Sequence, residues 1–158
     1  MALGRDEGPC IGNTLLKIAK KFNLQIIEDC AHAIETKYNG KFAGTFGDIG
    51  CLSFYVTKNL VTGEGGALIT NNIKYADKIK VLALHGLSKN AWSRFGDKGY
   101  SHYKVISAGF KYNMMDIQAS IGIHQLKKIT NSWKKRKKIW EYYNKAFRKM
   151  PFIKLDSI

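Results

Sequence analysis

Two apolar runs in the first sixty residues end in side chains that could do acid–base or nucleophilic chemistry. Glu28 and Asp29 close the first run, and His32 comes three residues later. Ser53 lies in the second run and Lys58 follows it. Carboxylate, imidazole, hydroxyl and amine groups move protons or attack carbonyl carbons in enzymes. Because ligands in open α/β sheets bind beyond the carboxyl ends of the strands, these groups meet at one edge if the two strands are neighbours.

Each of these side chains also has an ordinary structural explanation. An aspartate after a strand is often a helix N-cap, and a serine in a strand is often a small core residue. A single histidine is commonly a packed one, and most lysines are solvated. A lysine placed between a buried strand and the GEGG turn is poorly placed for a purely solubilising charge. The combination therefore favours a site over four independent structural roles.

Other kinds of site are excluded by spacing. TGEGGA lacks the GxGxxG pattern of a dinucleotide fold, and GTFGDIG is not followed by the Lys-Ser/Thr of a P-loop. There is no GxSxG or HExxH segment. Cys10, Cys30 and Cys51 form no CxxC pair and have no histidine at zinc spacing, so the sequence predicts neither a disulfide framework nor a metal site.

The elements that must position these groups alternate between helix and strand. Apolar periodicity predicts helices over 11–22, 72–84, 114–129 and 130–149, the last ended by Pro151. LQIIEDC, CLSFYVT and GALIT predict three short strands, parallel and buried on both faces. Asn39-Gly40 predicts a hairpin turn, and residues 85–108 a long functional or partner-covering loop.

These elements predict an α/β domain with one core. Sheets in such domains usually have about five or six strands, so three strands form an incomplete sheet. The rest of the sheet is expected to be absent from this sequence or supplied by another chain. The apolar runs are far shorter than the roughly 20 residues of a membrane helix, and no signal-peptide segment is present, which favours a cytoplasmic location without membrane contact.

The chain is strongly basic, with 26 Lys and Arg against 12 Asp and Glu and a net charge of +14. Ten of the basic residues lie between Lys127 and Lys149, interleaved with aromatic residues, which is one composition typical of nucleic-acid binding. Helical spacing instead favours a buried or partner-facing apolar stripe with lysines on the wet face. The stripe consists of Ile129, Trp133, Trp140, Tyr143 and Phe147.

Four segments carry a family resemblance: EDCAHA, GTFGDIGCLSFYVTKNLVTGEGGALITN, LHGLS and AGFKYNMMDIQASIGIHQL. In this order they resemble the DegT/DnrJ/StrS family of pyridoxal-phosphate (PLP) sugar aminotransferases. The resemblance implies part of the three-layer α/β/α large domain of a fold-type I PLP-dependent transferase, with a mostly parallel sheet. Residues 1–10 are expected to lie outside the family pattern and 11–130 to be the central part of the large domain. Residues 131–158 would lead towards a small domain.

The resemblance also implies roles for individual residues. Lys58 is the catalytic lysine that holds PLP as a Schiff base and then moves a proton on the substrate. Asp29 pairs with the pyridine nitrogen, His32 lies near the phenolic oxygen, and Ser53 binds the phosphate. Lys111 stands where many members have an Asn that reaches the neighbouring subunit's cofactor phosphate, and a lysine can bind phosphate as a point charge.

The function implied is transfer of an amino group, with glutamate as donor, to a keto group on a nucleotide-linked sugar in polysaccharide or amino-sugar biosynthesis. A homodimer with a shared active site is expected, without nucleic acid. Related sugar dehydratases lack the lysine, so Lys58 argues against them. Two alternatives stay open: a non-catalytic piece that dimerises or regulates, and a basic nucleic-acid-binding protein. Family members are more than twice as long as this chain, so the parent enzyme carries the role more securely than these residues alone.

Overall fold

The computed structural model describes residues 8–88 and 104–153, which form two compact units. The first contains residues 8–69 and 116–153, and the second contains 70–88 and 104–115. In chain order the elements are α1 (Gly8–Phe22), β1 (Ile27–Asp29), β2 (Lys37–Tyr38), β3 (Lys41–Phe42), β4 (Ile49–Ser53), β5 (Gly66–Ile69), α2 (Ile73–Ala83) and α3 (Asp116–Phe147). The alternation of helix and strand confirms the α/β class.

Within residues 8–88 and 104–153, the main sheet has three strands in the order β1-β4-β5, with β4 in the centre. β1 runs parallel to β4, with Asp29 opposite Cys51. β5 runs antiparallel to β4, with Ser53 opposite Gly66, so the prediction that all three strands are parallel is wrong for β5. The segment between β4 and β5 contains only turns, without the helical crossover that usually connects parallel neighbours.

The strands are less buried than the sequence pattern predicts. Ile27 in β1 is 65% exposed and every residue of β5 is exposed, so burial on both faces is not found. The reason is that α1 and α3, the helices of the same unit, make few contacts with the sheet. Within the described residues, the buried apolar side chains are those of Ala19, Cys30, Ala43 and Leu60, and Thr62 is the buried polar one.

A hairpin forms where the Asn39-Gly40 pair predicts it. β2 and β3 are antiparallel, with Tyr38 opposite Lys41. Asn39 and Gly40 have φ angles of 47° and 78°, both positive, as a two-residue turn with the twist of its strands requires.

Two helices confirm their sequence predictions. α1 ends at Phe22, and Asn23 follows it with a φ of 52°. The amide of Leu24 donates to the carbonyl of Ala19 at 2.8 Å, which closes the helix end. α2 begins after Asn72, whose side chain accepts from the amides of the second and third residues of the helix.

α3 differs from its prediction, because one continuous helix replaces the two predicted over 114–129 and 130–149. Thr130 and Asn131 are weak helix formers, but neither removes a backbone donor as proline would. No described residue of α3 is buried. Within the apolar stripe, Trp140 and Phe147 are half-buried, whereas Trp133 and Tyr143 are exposed. None of the described helices combines the length and apolar content that a membrane span requires.

In the second unit, two glycines let two backbone segments cross closely. A Cβ on Gly86 would lie 1.8 Å from the carbonyl oxygen of Ser107, and one on Gly109 would lie 2.1 Å from the amide nitrogen of Gly86. Leu87 and Val105 pair beside this crossing. The predicted loop over 85–108 is therefore closed at its base, while its residues 89–103 lie outside the described part of the chain.

Candidate active site

The centre of the site is a direct contact between His32 and Lys58. The lysine Nζ lies 2.7 Å from the imidazole Nε2, across 26 residues of sequence. His32 lies in a turn after β1, in which the amide of Ala33 donates to the carbonyl of Cys30 at 3.0 Å. Lys58 lies in a turn after β4, where its own amide donates to the carbonyl of Tyr55 at 2.9 Å. The parallel pairing of β1 with β4 brings these two turns to the same edge.

Asp29 and Ser53 lie at the carboxyl ends of the same two strands. Asp29 is opposite Cys51, and Ser53 is two residues further along β4, so alternation along the strand puts all three side chains on one face. Asp29 is exposed, and its Oδ1 accepts from the amide of Ala31 at 3.1 Å. The Ser53 Oγ is 3.5 Å from the amide of Tyr55, and accepting there leaves its own O–H as a donor.

Glu28 fixes the loop beside this edge. One carboxylate oxygen accepts from the amide of Gly44 at 2.7 Å, and the other accepts from Phe46 at 2.7 Å and Gly47 at 2.6 Å. Three backbone donors on one carboxylate hold the loop before β4 against β1. Gly50 completes the contact, since a Cβ there would lie 2.4 Å from the carbonyl oxygen of Gly44.

The two described cysteines border the site but are poor nucleophiles. Burial raises the pKa of the Cys30 thiol to about 11, and the charges of Glu28, Cys51 and Asp29 add to this effect. Burial also raises the pKa of the Cys51 thiol, with a further contribution from the Asp29 carboxylate. Because a thiol reacts as its thiolate, both cysteines are largely unreactive near neutral pH.

Lys111 belongs to the second unit. Its residue pairs with Leu84 after α2, and its Nζ donates to the Oδ1 of Asn113. Of the five predicted cofactor residues, four thus belong to one edge of the first unit, and a role for Lys111 towards phosphate stays a prediction.

Sequence reasoning missed several residues that organise the site. Glu28 was identified only as an acid at a strand end, although the glycine-rich loop GTFGDIG was a signal that a carboxylate could bind exposed amides there. Glu35 accepts from Asn59 and pairs with Arg136 of α3, and a separation of 101 residues gives no sequence signal.

In the part of the chain that the structure describes, no cluster of three or more His, Cys, Asp or Glu side chains could hold a metal.

Comparison with known proteins decides the family. A model of the DegT/DnrJ/EryC1/StrS aminotransferase family matches residues 9–157. The chain belongs to this family. Among curated relatives of the chain, an uncharacterized protein of Methanocaldococcus jannaschii is 51% identical over 142 residues, covering 90% of this chain and 37% of its own length.

Two further relatives match this chain over 142 and 141 residues. The spore coat polysaccharide biosynthesis protein SpsC of Bacillus subtilis is 46% identical, with 90% of this chain and 36% of SpsC covered. The UDP-4-amino-4,6-dideoxy-N-acetyl-beta-L-altrosamine transaminase of Campylobacter jejuni is 37% identical, with coverage of 89% and 35%. The chain therefore spans little more than a third of the length of these relatives.

Solved structures agree with this membership. PseC of Helicobacter pylori, an aminotransferase of pseudoaminic acid biosynthesis, gives a TM-score of 0.79 at 30% identity, covering 89% of this chain and 36% of PseC. DesI, solved with its TDP-sugar product, gives 0.74 at 26% identity, with coverage of 90% and 33%. Spr1654 of Streptococcus pneumoniae in its PLP form gives 0.69 at 29% identity, with coverage of 84% and 33%.

Proposed function

We propose that this chain carries the cofactor-binding edge of a PLP-dependent aminotransferase that acts on a nucleotide-linked keto-sugar, with glutamate as amino donor. The observation that supports it most is the 2.7 Å contact between Lys58 and His32 at the strand ends that also carry Asp29 and Ser53. Because the chain belongs to the aminotransferase family, the lysine in this contact is our candidate for the residue that binds PLP.

The chemistry of these side chains fits PLP. Lys58 offers an amine for the aldehyde, and Asp29 offers an exposed carboxylate for the protonated ring nitrogen. The Ser53 hydroxyl is a donor for the phosphate, and the His32 imidazole suits the phenolic oxygen. When bound, PLP supplies an electron-accepting ring that stabilises negative charge on the substrate carbon.

His32 positions Lys58 for this role. The 2.7 Å contact lets the Nζ of Lys58 donate to a lone pair of the imidazole, which holds the amine at the strand ends. With PLP bound, Nζ would be the group that moves a proton at the substrate carbon.

Lys111 extends the proposal to a homodimer with a shared active site. Its ammonium group is suited to a phosphate, because a point charge needs no fixed planar geometry. Asn113 holds that ammonium group in the described structure. In the proposed dimer, the Lys111 of each protomer contacts the cofactor phosphate of the other.

The first experiment asks whether Lys58 binds PLP covalently. The 158-residue chain is mixed with PLP, the absorbance of the lysine adduct is recorded, and borohydride reduction followed by peptide mapping locates the label. We expect one label per chain at Lys58 and at least a hundredfold loss of the adduct in Lys58→Ala. Lys41→Ala, which removes an exposed lysine of the hairpin in the same unit, should behave as the unchanged chain. Label spread evenly over the lysines, or an adduct that survives Lys58→Ala, contradicts the proposal.

A second measurement addresses the substrate. The chain replaces the corresponding segment of SpsC, with which it shares 46% identity, and release of 2-oxoglutarate from glutamate is followed with and without nucleotide-linked keto-sugars. Turnover that needs both substrates and Lys58 supports amino transfer. A chimera that folds and binds PLP but never consumes glutamate would favour a non-catalytic role.

A further inference from the structure

Glu35 connects α3 with the turn that carries Lys58. One oxygen of its carboxylate, Oε2, accepts from the side-chain amide of Asn59 at 2.8 Å. The other, Oε1, pairs with the guanidinium of Arg136 in α3. The two donors come from segments 24 and 101 residues away in sequence, so this contact exists only in the folded chain.

Glu35 also lies on the segment that carries His32. The amide of Thr36 donates to the carbonyl of Ala33 at 3.0 Å, and that of Ala33 donates to Cys30 at the same distance. Two consecutive turns thus join His32 to Glu35, while Asn59 is the residue directly after Lys58. The contact between Glu35 and Asn59 therefore ties together the same two segments that the contact between His32 and Lys58 joins.

The solvent exposure of this group distinguishes it from an ordinary surface ion pair. Arg136 is 43% exposed, but the Glu35 side chain is only 11% exposed, and a carboxylate with so little water around it depends on protein donors. Exposed pairs, in contrast, contribute little and exchange readily with solvent. Lys137 and Glu141 of the same helix form such a pair at 3.8 Å, with about half of each side chain exposed.

We propose that Glu35, anchored by Arg136, is a positioning residue that holds His32 against Lys58. Its role in catalysis rests on the proposed function, but its effect on the geometry of the two side chains does not. Without Glu35 the turns after β1 and β4 keep their backbone hydrogen bonds and lose one of the two side-chain contacts that join them. A displacement of reacting groups by about 1 Å can cost roughly a hundredfold in rate, so a loosened contact should have a measurable effect.

The first test uses the His32 ring itself, without PLP. Nitrogen chemical shifts of the imidazole are measured in the 15N-labelled chain, with His32→Asn to assign the signals and Lys58→Met to define the loss of the contact. We expect Glu35→Gln and Arg136→Met to move the Nε2 resonance towards its position in Lys58→Met by at least half of that displacement. Arg136→Lys, which keeps the positive charge, should move the Nε2 resonance less than Arg136→Met does. The double variant should move it no further than the larger single change, because both act through one contact.

The matched control is Lys137→Met, which removes the same charge from the adjacent position of α3. This variant should leave the His32 signals where they are in the unchanged chain. Circular dichroism and thermal unfolding confirm that each variant is folded. The proposal is overturned if the His32 signals do not move in folded Glu35→Gln. It is also overturned if Lys137→Met moves them as far as Glu35→Gln does, because that result would indicate a general charge effect.

A second test measures how fast Lys58 reacts with PLP. Glu35→Gln and Arg136→Met should slow adduct formation about tenfold, with no change in Lys137→Met. If the unchanged chain forms its adduct at Lys58 and these variants react at the same rate, the positioning role fails and the proposed function stands. If the unchanged chain forms no adduct while the His32 signals respond as expected, the positioning role stands and the proposed function fails.

Discussion

The carboxyl edge of β1 and β4 and the helix α3 are held in opposite ways. Carboxylates hold the backbone around these two strands: Glu28 of β1 accepts three amides of the loop before β4, and Asp48 accepts the amide of Ile26 at 2.7 Å at the amino ends of the strands. α3 has no buried residue in the described structure, and its apolar side chains include the exposed Ile117, Ile123 and Leu126. The edge therefore depends on polar contacts within the chain, whereas the helix presents apolar surface.

The site therefore has two separate requirements, which are the hydrogen bonds at the edge and the covering of the exposed apolar surface. The described hydrogen bonds that position Asp29, His32, Ser53 and Lys58 all lie within this chain. The apolar surface of α3 and β5 gains stability only when it is covered, because burial of apolar area is what drives packing. We therefore expect substitutions at the edge to have larger effects on the isolated chain than substitutions on the exposed face of α3.

The largest effect is expected from Glu28→Ala, which leaves three backbone amides without their acceptor. Hydrogen bonds to a charged group contribute about 1.5–3 kcal/mol each, and water can replace part of them at this half-buried site. We expect a loss of about 3 kcal/mol in the free energy of unfolding, measured by urea titration. Glu141→Ala, in an exposed pair, should cost less than about 0.5 kcal/mol. Equal losses in the two variants would remove the contrast between edge and helix.

An intermediate effect is expected at Cys30, which is 3% exposed and borders the site. Its pKa is about 11 in the folded chain against an ordinary value of 9.0, so the folded state keeps a proton that the unfolded state loses between these pH values. Stability should therefore fall as pH rises from 9 to 11, by up to about 2–3 kcal/mol at roughly 1.4 kcal/mol per pKa unit.

The measurement compares urea unfolding of the unchanged chain and Cys30→Ala at each pH. The variant should lack this part of the alkaline loss, so the difference between the two proteins should narrow above pH 9. Other groups titrate equally in both proteins and cancel. Parallel curves from pH 8 to 11 would show that the thiol has no special environment.

The smallest expected effect tests where α3 does pack. A Cβ on Gly122 would lie 3.1 Å from the Cγ2 of the buried Thr62, so little space exists on that side. Gly122→Leu should destabilise the chain by about 1–3 kcal/mol through overpacking. Ser120→Leu, on the exposed side of the same helix, should stay within about 0.5 kcal/mol. If both variants are neutral in thermal unfolding, the first turns of α3 are not held against the loop at Thr62.

Local signals made the fold predictable wherever neighbouring residues decide the structure. The apolar periods of α1 and α2 and the Asn39-Gly40 turn act within a few residues, and all three predictions are confirmed. The direction of β5 was not predictable from its composition, because apolar runs in parallel and antiparallel strands look alike. The continuity of α3 was missed because Thr130 and Asn131 lower helix propensity without ending the helix.

The same distinction between local and distant contacts decides which residues of the candidate site could be predicted. Asp29, His32, Ser53 and Lys58 could be found because they follow recognisable strands and match a family pattern at fixed spacing. Glu35 and Arg136 could not, because their contact depends on the path of α3 rather than on any local pattern. Glu28 was visible as an acid, but its three amide partners required the folded loop.

The order β1-β4-β5 has a consequence for the behaviour of the chain in solution. In the part of the chain that the structure describes, β4 has a neighbour on each side, whereas β1 and β5 each have one. Each of these outer strands presents backbone donors and acceptors on one side, which makes it a template for strand addition. Leu68 and Ile69 of β5 add exposed apolar side chains to such an edge. Added strands could extend the sheet in either direction, and at high concentration the same edges would favour aggregation.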